Sequence, residues 1–312
     1  MADRQRQQRA VTRRRLGRLT NLIIAKRTGE RYDRAVAFFF DWVERQGLTF
    51  TITSQVVSLT SAWVEECWEE GESIGLAADT VSGLQHLVPE LKGLLKESWR
   101  LFKAWRMHEL PARAPPLLKT MVQAMAMSEI KVGNWRRALL LLIGFNVFLR
   151  TGEILKLRVA DFIFDRKGET VVLQLGMTKS GKRRGTPESV VCRSPELVTF
   201  AKLVLEGLPP GEPVFNGLQH HFRTWFAAAL DAQGLSNMGF RPYSLRRGGA
   251  TAAFREGASW ESLCEIGSWA SQKTLRIYVT DALAELAELR TPPLVWATME
   301  KRSAHLSALL QG

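Results

Sequence analysis

Two arginines, two tyrosines, a lysine and a tryptophan stand where their types could act together on an oxygen-rich anion. Arg150 lies in Phe148-Leu149-Arg150-Thr151-Gly152-Glu153-Ile154-Leu155, where an apolar run ends in an arginine with a carboxylate three residues on. Alone, that is an ordinary ion pair at a helix edge. Downstream, Tyr243-Ser244-Leu245-Arg246-Arg247 introduces a helix of small residues, and Trp269 precedes Tyr278. Guanidinium groups stay charged and bind two oxygens at once. A phenol donates, accepts or attacks, and an indole N–H only donates. The combination is more specific than any part.

In this order the residues resemble the hallmark of the tyrosine-recombinase, or phage-integrase, family: an arginine in an L-R-x-x-E-hydrophobic segment, an H-x-x-R motif, and a His or Trp ahead of a tyrosine. Arg150, Glu153, Arg246, Trp269 and Tyr278 match. Lys179, in Thr178-Lys179-Ser180-Gly181-Lys182, matches the family's hairpin lysine, with Lys182 as the alternative. The likeness extends from about Leu19 to Leu289. It implies a site-specific recombinase or integrase of mobile elements that breaks and rejoins double-stranded DNA through a 3′-phosphotyrosyl link to Tyr278. The ester would conserve bond energy, so neither ATP nor another cofactor is expected.

The resemblance also implies roles. Arg150 and Arg246 would meet charge on the equatorial phosphate oxygens, Lys179 would protonate the departing 5′-hydroxyl, Trp269 would hold a nonbridging oxygen and Glu153 would orient a basic neighbour. Tyr243 departs from the pattern, standing where the family has histidine. A phenol with a reference pKa near ~10 is a poor proton acceptor beside an imidazole near ~6.5. Tyr243 therefore reads as positioning a phosphate oxygen or the nucleophile. Two other classes stay open: a type IB topoisomerase-like enzyme relaxing supercoils as a monomer, and a noncatalytic DNA-binding derivative. The leading reading implies a homo-oligomer, a tetrameric synapse on DNA.

These residues need a scaffold, and the 312-residue chain, 46% hydrophobic, can bury a sizeable core in about two domains. Lysine and arginine number 43 against 31 acidic residues, a net charge of +12 that suits a polyanionic partner. Residues 1–18 read as a flexible basic arm in which Arg4, Arg6, Arg9, Arg13, Arg14, Arg15 and Arg18 face only Asp3. Arg13, Arg14, Arg15, Lys182, Arg183 and Arg247 are the candidate DNA contacts. No apolar leader segment opens the chain, and the run 138–149 falls short of the ~20 residues a bilayer crossing needs. No membrane partner is expected; the location implied is intracellular and DNA-associated, in nucleus or nucleoid.

Cys67, Cys192 and Cys264 are odd in number and far apart, and His86, His108, His220, His221 and His305 lack ligand spacing, so no disulfide framework and no metal are expected.

The pattern predicts a mainly α fold with a small antiparallel β-sheet. Residues 19–107 read as a helical core-binding, SAM-like domain, with Tyr32, Val36, Phe39, Phe40 and Val43 at helical steps. Further helices are expected over about 54–71, from a cap at Asp79-Thr80 to before Pro89, and around Leu94 to Trp105. Residues 108–116, with Pro111, Pro115 and Pro116, read as a linker. The catalytic domain spans 117–290, with helices over 117–129 and 135–155. Strands follow at 162–164, 170–175 and 189–192, then helices over 220–232, 244–257 and 260–266. Residues 291–312 form a final amphipathic helix, docked in cis or on a neighbouring protomer. Most of the ten tryptophans read as core.

Overall fold

Basic, alanine- and glutamine-containing sequence is good helix-forming material even without an apolar face. In a computed structural model, α1 accordingly spans Ala2–Leu16, so the basic arm is itself helical. Its described side chains are exposed except at Ala10, which is partly covered. The structure describes residues 2–110, 113–178, 181 and 185–311. Lys179, Lys182 and Arg183 lie outside the described residues.

The chain divides into two units, 1–112 and 113–312, with the break inside the Pro-rich stretch expected to be a linker. In the first, α2 (Lys26–Arg45), α3 (Thr53–Glu69), α4 (Ile74–Leu87) and α5 (Lys96–His108) enclose a core built on Phe39, Trp63, Val81, Leu84, Leu95 and Phe102. α4 starts six residues earlier than expected. Ser73 caps it by accepting from Leu76 N, while Asp79 pairs with Arg31. Thr80, expected at the cap, is buried and links three helices: it accepts from Trp63 Nε1 at 3.1 Å and sits 3.1 Å from the Ala35 carbonyl.

The second unit is organised by α6 (Lys119–Lys131) and α7 (Trp135–Asn146), whose residues from Ala138 to Phe145 are all buried. An apolar run lacking a polar face must be surrounded. It is covered by α6, by α9 (Pro195–Leu205) and by α11 (Tyr243–Arg255). α7 stops at Asn146, well short of the expected 155. The chain reverses at Phe148, φ +54°, and a single turn, α8 (Thr151–Ile154), follows.

Strands β1 (Phe162–Phe164), β2 (Val171–Gly176) and β3 (Glu188–Cys192) form an antiparallel sheet in the order β1-β2-β3. Phe162 faces Leu173 and Val171 faces Cys192, so alternate residues of β2 and β3 reach the core. α9 was not anticipated, although Ser194 followed by Pro195 is a helix-start signal, and Ser194 does accept from Leu197 N.

α10 (Gln219–Asp231), α12 (Trp260–Ile266), α13 (Gln272–Leu275) and α14 (Asp281–Arg290) complete this unit together with α15 (Pro293–Gln311). α15 lies along α6, with Met299 and Leu306 fully buried, so the last helix docks in cis. Of the tryptophans, Trp42, Trp63, Trp105, Trp225 and Trp269 are buried, whereas Trp68, Trp99 and Trp135 are exposed. The core expectation holds for only part of the set.

Candidate active site

The reversal at Phe148 determines how Arg150 is presented. Arg150 does not end the long helix; it stands at the N-cap of α8. Glu153, buried in the first turn, closes a box around it. One carboxylate oxygen accepts from Arg150 N at 2.7 Å and the other from Arg150 Nη1 at 2.6 Å. Both oxygens are satisfied by the same residue, so the guanidinium is held in one orientation with 28% of its side chain still accessible.

Arg246 is the hub. On α11 it is 1% exposed, its Nη1 donating to the Phe148 carbonyl and its Nη2 to the Gly267 carbonyl. Its guanidinium lies over Trp269, 4.2 Å from the ring centroid, and 5.5 Å from that of Tyr278. Burial, then the nearby Arg150, pushes its pKa down to about 10, which leaves it cationic at neutral pH. Both acceptor carbonyls lie at unusual backbone: Phe148 has φ +54°, and Ser268, directly after Gly267, has φ +51°. Left-handed conformations in non-glycine residues cost free energy and persist when their surroundings impose them.

A small cluster of Phe148, Ala250, Leu263, Trp269 and Leu275 supports this corner. Gly267 makes room for it, since a Cβ there would stand 1.7 Å from the Trp269 ring. Trp269 is 6% exposed and meets Tyr278 edge to face at 4.9 Å. Neither Trp269 Nε1 nor Arg246 Nε has a hydrogen-bond partner among the described residues. Buried donors of this kind call for an acceptor.

Tyr243 opens α11 and its hydroxyl donates to the Tyr278 hydroxyl. Tyr243 is 37% exposed and Tyr278 half-buried. Burial, reinforced by the bond to Tyr278, holds the Tyr243 phenol above the ordinary tyrosine range, with Arg246 and Arg150 opposing the shift. Tyr243 is therefore neutral at physiological pH, a donor rather than a base. The fold thus brings Arg150, Glu153, Tyr243, Arg246, Trp269 and Tyr278 together.

Arg247, expected as a DNA contact, is only 3% exposed and its Nη2 donates to Thr280 Oγ1 at 3.2 Å. It faces the protein interior. Arg13, Arg14 and Arg15 lie in the last turn of α1 and are exposed. The carbonyls of Phe148 and Gly267 and the side chain of Thr280 had no sequence signal of their own, being backbone acceptors and an ordinary threonine. Among the described residues, no group of three or more His, Cys, Asp or Glu side chains forms a metal site, and no helix is long and apolar enough to cross a membrane.

This is a helical domain with a three-stranded sheet, in which two arginines and two tyrosines share one corner. Residues 118–285 match the model of the Phage integrase family, and the chain belongs to that family. Among solved structures, a Tn1549 transposon integrase in complex with transposon right end DNA is similar at 14% identity and a TM-score of 0.57, covering 84% of this chain and 98% of that one. A lambda integrase dimer bound to a COC′ core site is similar at 17% identity and a TM-score of 0.56, covering 84% and 74%. The XerH site-specific recombinase bound to difH substrate gives 16% identity and a TM-score of 0.51, covering 75% and 70%. No curated protein matches the sequence.

Proposed function

We propose that this chain is a site-specific recombinase or integrase that cleaves and rejoins double-stranded DNA through a phosphotyrosyl ester on Tyr278. The observation that carries this reading is the Tyr278 hydroxyl, held by the Tyr243 hydroxyl, in a ring packed on Trp269 and facing the buried cation of Arg246. The family and the DNA-bound relatives agree with it. Double-stranded DNA is the partner, and two duplexes in a homo-oligomeric synapse give the exchange.

In the proposed step, Tyr278 Oη attacks the scissile phosphorus. The phosphorus–oxygen bond to the 5′ carbon breaks, and the electron pair leaves on the DNA oxygen, which takes a proton from Lys179. The phenolic proton passes to water, because neutral Tyr243 is already a donor. Its O–H instead stabilises negative charge growing on Tyr278 Oη. Arg150, fixed by Glu153, and the N–H groups of Arg246 not used by carbonyls meet the equatorial oxygens. Trp269 Nε1 supplies a further donor. Each such donor contributes on the order of 2.7–4 kcal/mol when fixed before the reaction. The free 5′-hydroxyl reverses the attack in the rejoining step.

The test is covalent capture. A nicked duplex drawn from a random-sequence pool traps the chain if it cleaves, and peptide mass spectrometry should place the phosphoryl link on Tyr278. Binding without any adduct would establish a noncatalytic derivative, and a link elsewhere would refute the nucleophile. Relaxation of supercoiled DNA without strand exchange between duplexes would favour a topoisomerase.

A further inference from the structure

The helix that carries Tyr243 and Arg246 also presents Arg247, Thr251 and Arg255, spaced by four residues and therefore stacked on one face. All three reach the segment just after Tyr278. Arg247 Nη2 donates to Thr280 Oγ1 at 3.2 Å. Thr251 Oγ1 accepts from Thr280 N at 3.3 Å and lies 3.5 Å from the Tyr278 carbonyl, which Thr280 Oγ1 also approaches at 3.4 Å. Arg255 binds the Asp281 carboxylate, its Nη2 donating to Glu285 Oε1 at 2.6 Å and to the Asp281 carbonyl at 3.2 Å. The row closes like a seam.

We infer that Arg247 and Thr251, acting through Thr280, are positioning residues that hold the backbone of Tyr278 against α11 and so set where its hydroxyl meets the phosphate. This rests on the reading of Tyr278 as nucleophile. Tyr278 sits between a one-turn helix and the start of α14, with little regular structure of its own to fix it. Its hydroxyl is held by Tyr243 and its carbonyl is met by Thr251, both on α11, while Thr280 is itself bound to Arg247 and Thr251 of the same helix. Arg247 and Thr251 are 3% and 2% exposed, so neither side chain lies on the surface that a DNA backbone meets. Arg255, at 30%, is the solvent-facing end of the row.

Full-length Arg247→Met, Thr280→Val and Thr280→Ser are compared with wild type for adduct formation on a nicked duplex that the wild-type chain captures, and for binding to its unnicked form over a range of salt. Misplacing a reacting atom by about 1 Å costs on the order of 10²-fold. Arg247→Met and Thr280→Val should slow adduct formation by about that factor while affinity and salt slope stay at wild-type values. Thr280→Ser, which keeps the oxygen, should restore the rate, and the double variant should be no slower than either single one. Thermal unfolding of each variant accompanies the rates. If Arg247→Met does not fold, the Thr280 pair decides.

A wild-type rate in Thr280→Val overturns the seam. So does an Arg247→Met variant that cleaves normally once bound but binds weakly with a flatter salt slope, the signature of a phosphate contact. Tyr278→Phe in the same assay separates the failures. An adduct that persists in Tyr278→Phe removes the nucleophile assignment, whereas one lost there but unaffected by Thr280→Val removes only the seam.

Discussion

Arg246 donates to the carbonyl of Phe148, two residues before Arg150, and thereby ties the segment bearing one arginine to the side chain of the other. Its second bond, to Gly267, ties in Trp269 in the same way. One guanidinium thus sets the spacing of three elements before any phosphate arrives. In Arg246→Lys the ammonium cannot span both acceptors, leaving a buried carbonyl short of a donor at about 1–3 kcal/mol. The denaturation midpoint should fall accordingly, and single-turnover cleavage should fall by roughly 10²–10³-fold or more. Cleavage near the wild-type rate would show that a point charge suffices there.

Trp269→Phe separates packing from hydrogen bonding. The ring contacts with Tyr278 and Arg246 survive in part, while the buried indole N–H, which has no partner among the described residues, is gone. Cleavage should slow by up to ~10²–10³-fold, as for loss of one oxyanion donor, with little loss of stability. If stability falls and the rate per folded molecule does not, Trp269 serves the core alone.

Tyr243 gives a prediction in pH. Its folded-state pKa is raised, so the stability it contributes is present below the unfolded value near ~10 and declines as pH rises through the folded value. Across pH 6–9 it should leave no titration step in the cleavage rate. Tyr243→Phe should slow cleavage without abolishing it, by up to roughly 10²–10³-fold, as for the loss of one fixed donor. Tyr243→His should stay active and introduce a step in the imidazole range. Identical profiles for wild type and Tyr243→Phe in single-turnover measurements would reduce the residue to packing.

Deleting residues 1–17 should weaken DNA binding at low salt and reduce the slope of log affinity against log salt, by about 0.9 for each phosphate that α1 had neutralised. The rate of cleavage once bound should survive. An unchanged slope would separate α1 from DNA altogether.

How far the sequence carried depended on whether a feature is local. Strands read at 162–164, 170–175 and 189–192 from β-branched and aromatic residues between turns are found at 162–164, 171–176 and 188–192, and most helix faces were legible from spacing. Arg150, Arg246, Trp269 and Tyr278 could be picked out because their motifs sit in short stretches. Two things were hidden. The break at Phe148 is closed by a bond from Leu149 N to the Gly144 carbonyl around a left-handed residue that is not glycine, so no residue type announces it, and its carbonyl is taken by the distant Arg246. The burial of Arg247 was equally opaque, since nothing in Arg246-Arg247 tells which of two adjacent charges points inward; in fact both do.

In α11, every residue from Ser244 to Thr251 is buried, so two full turns lack a solvent face. A Cβ on Gly249 would stand 1.9 Å from the Phe145 carbonyl, and one on Gly248 would stand 2.0 Å from that of Leu117. Helices ordinarily drift on their outer side, where substitutions are nearly neutral. This one has no outer side to drift on. A saturation library would find a trough of tolerated variation eight codons wide, ending abruptly toward the exposed Arg255 and Glu256. Descendants of this gene could rewrite most of their surface and still be recognisable by that octapeptide.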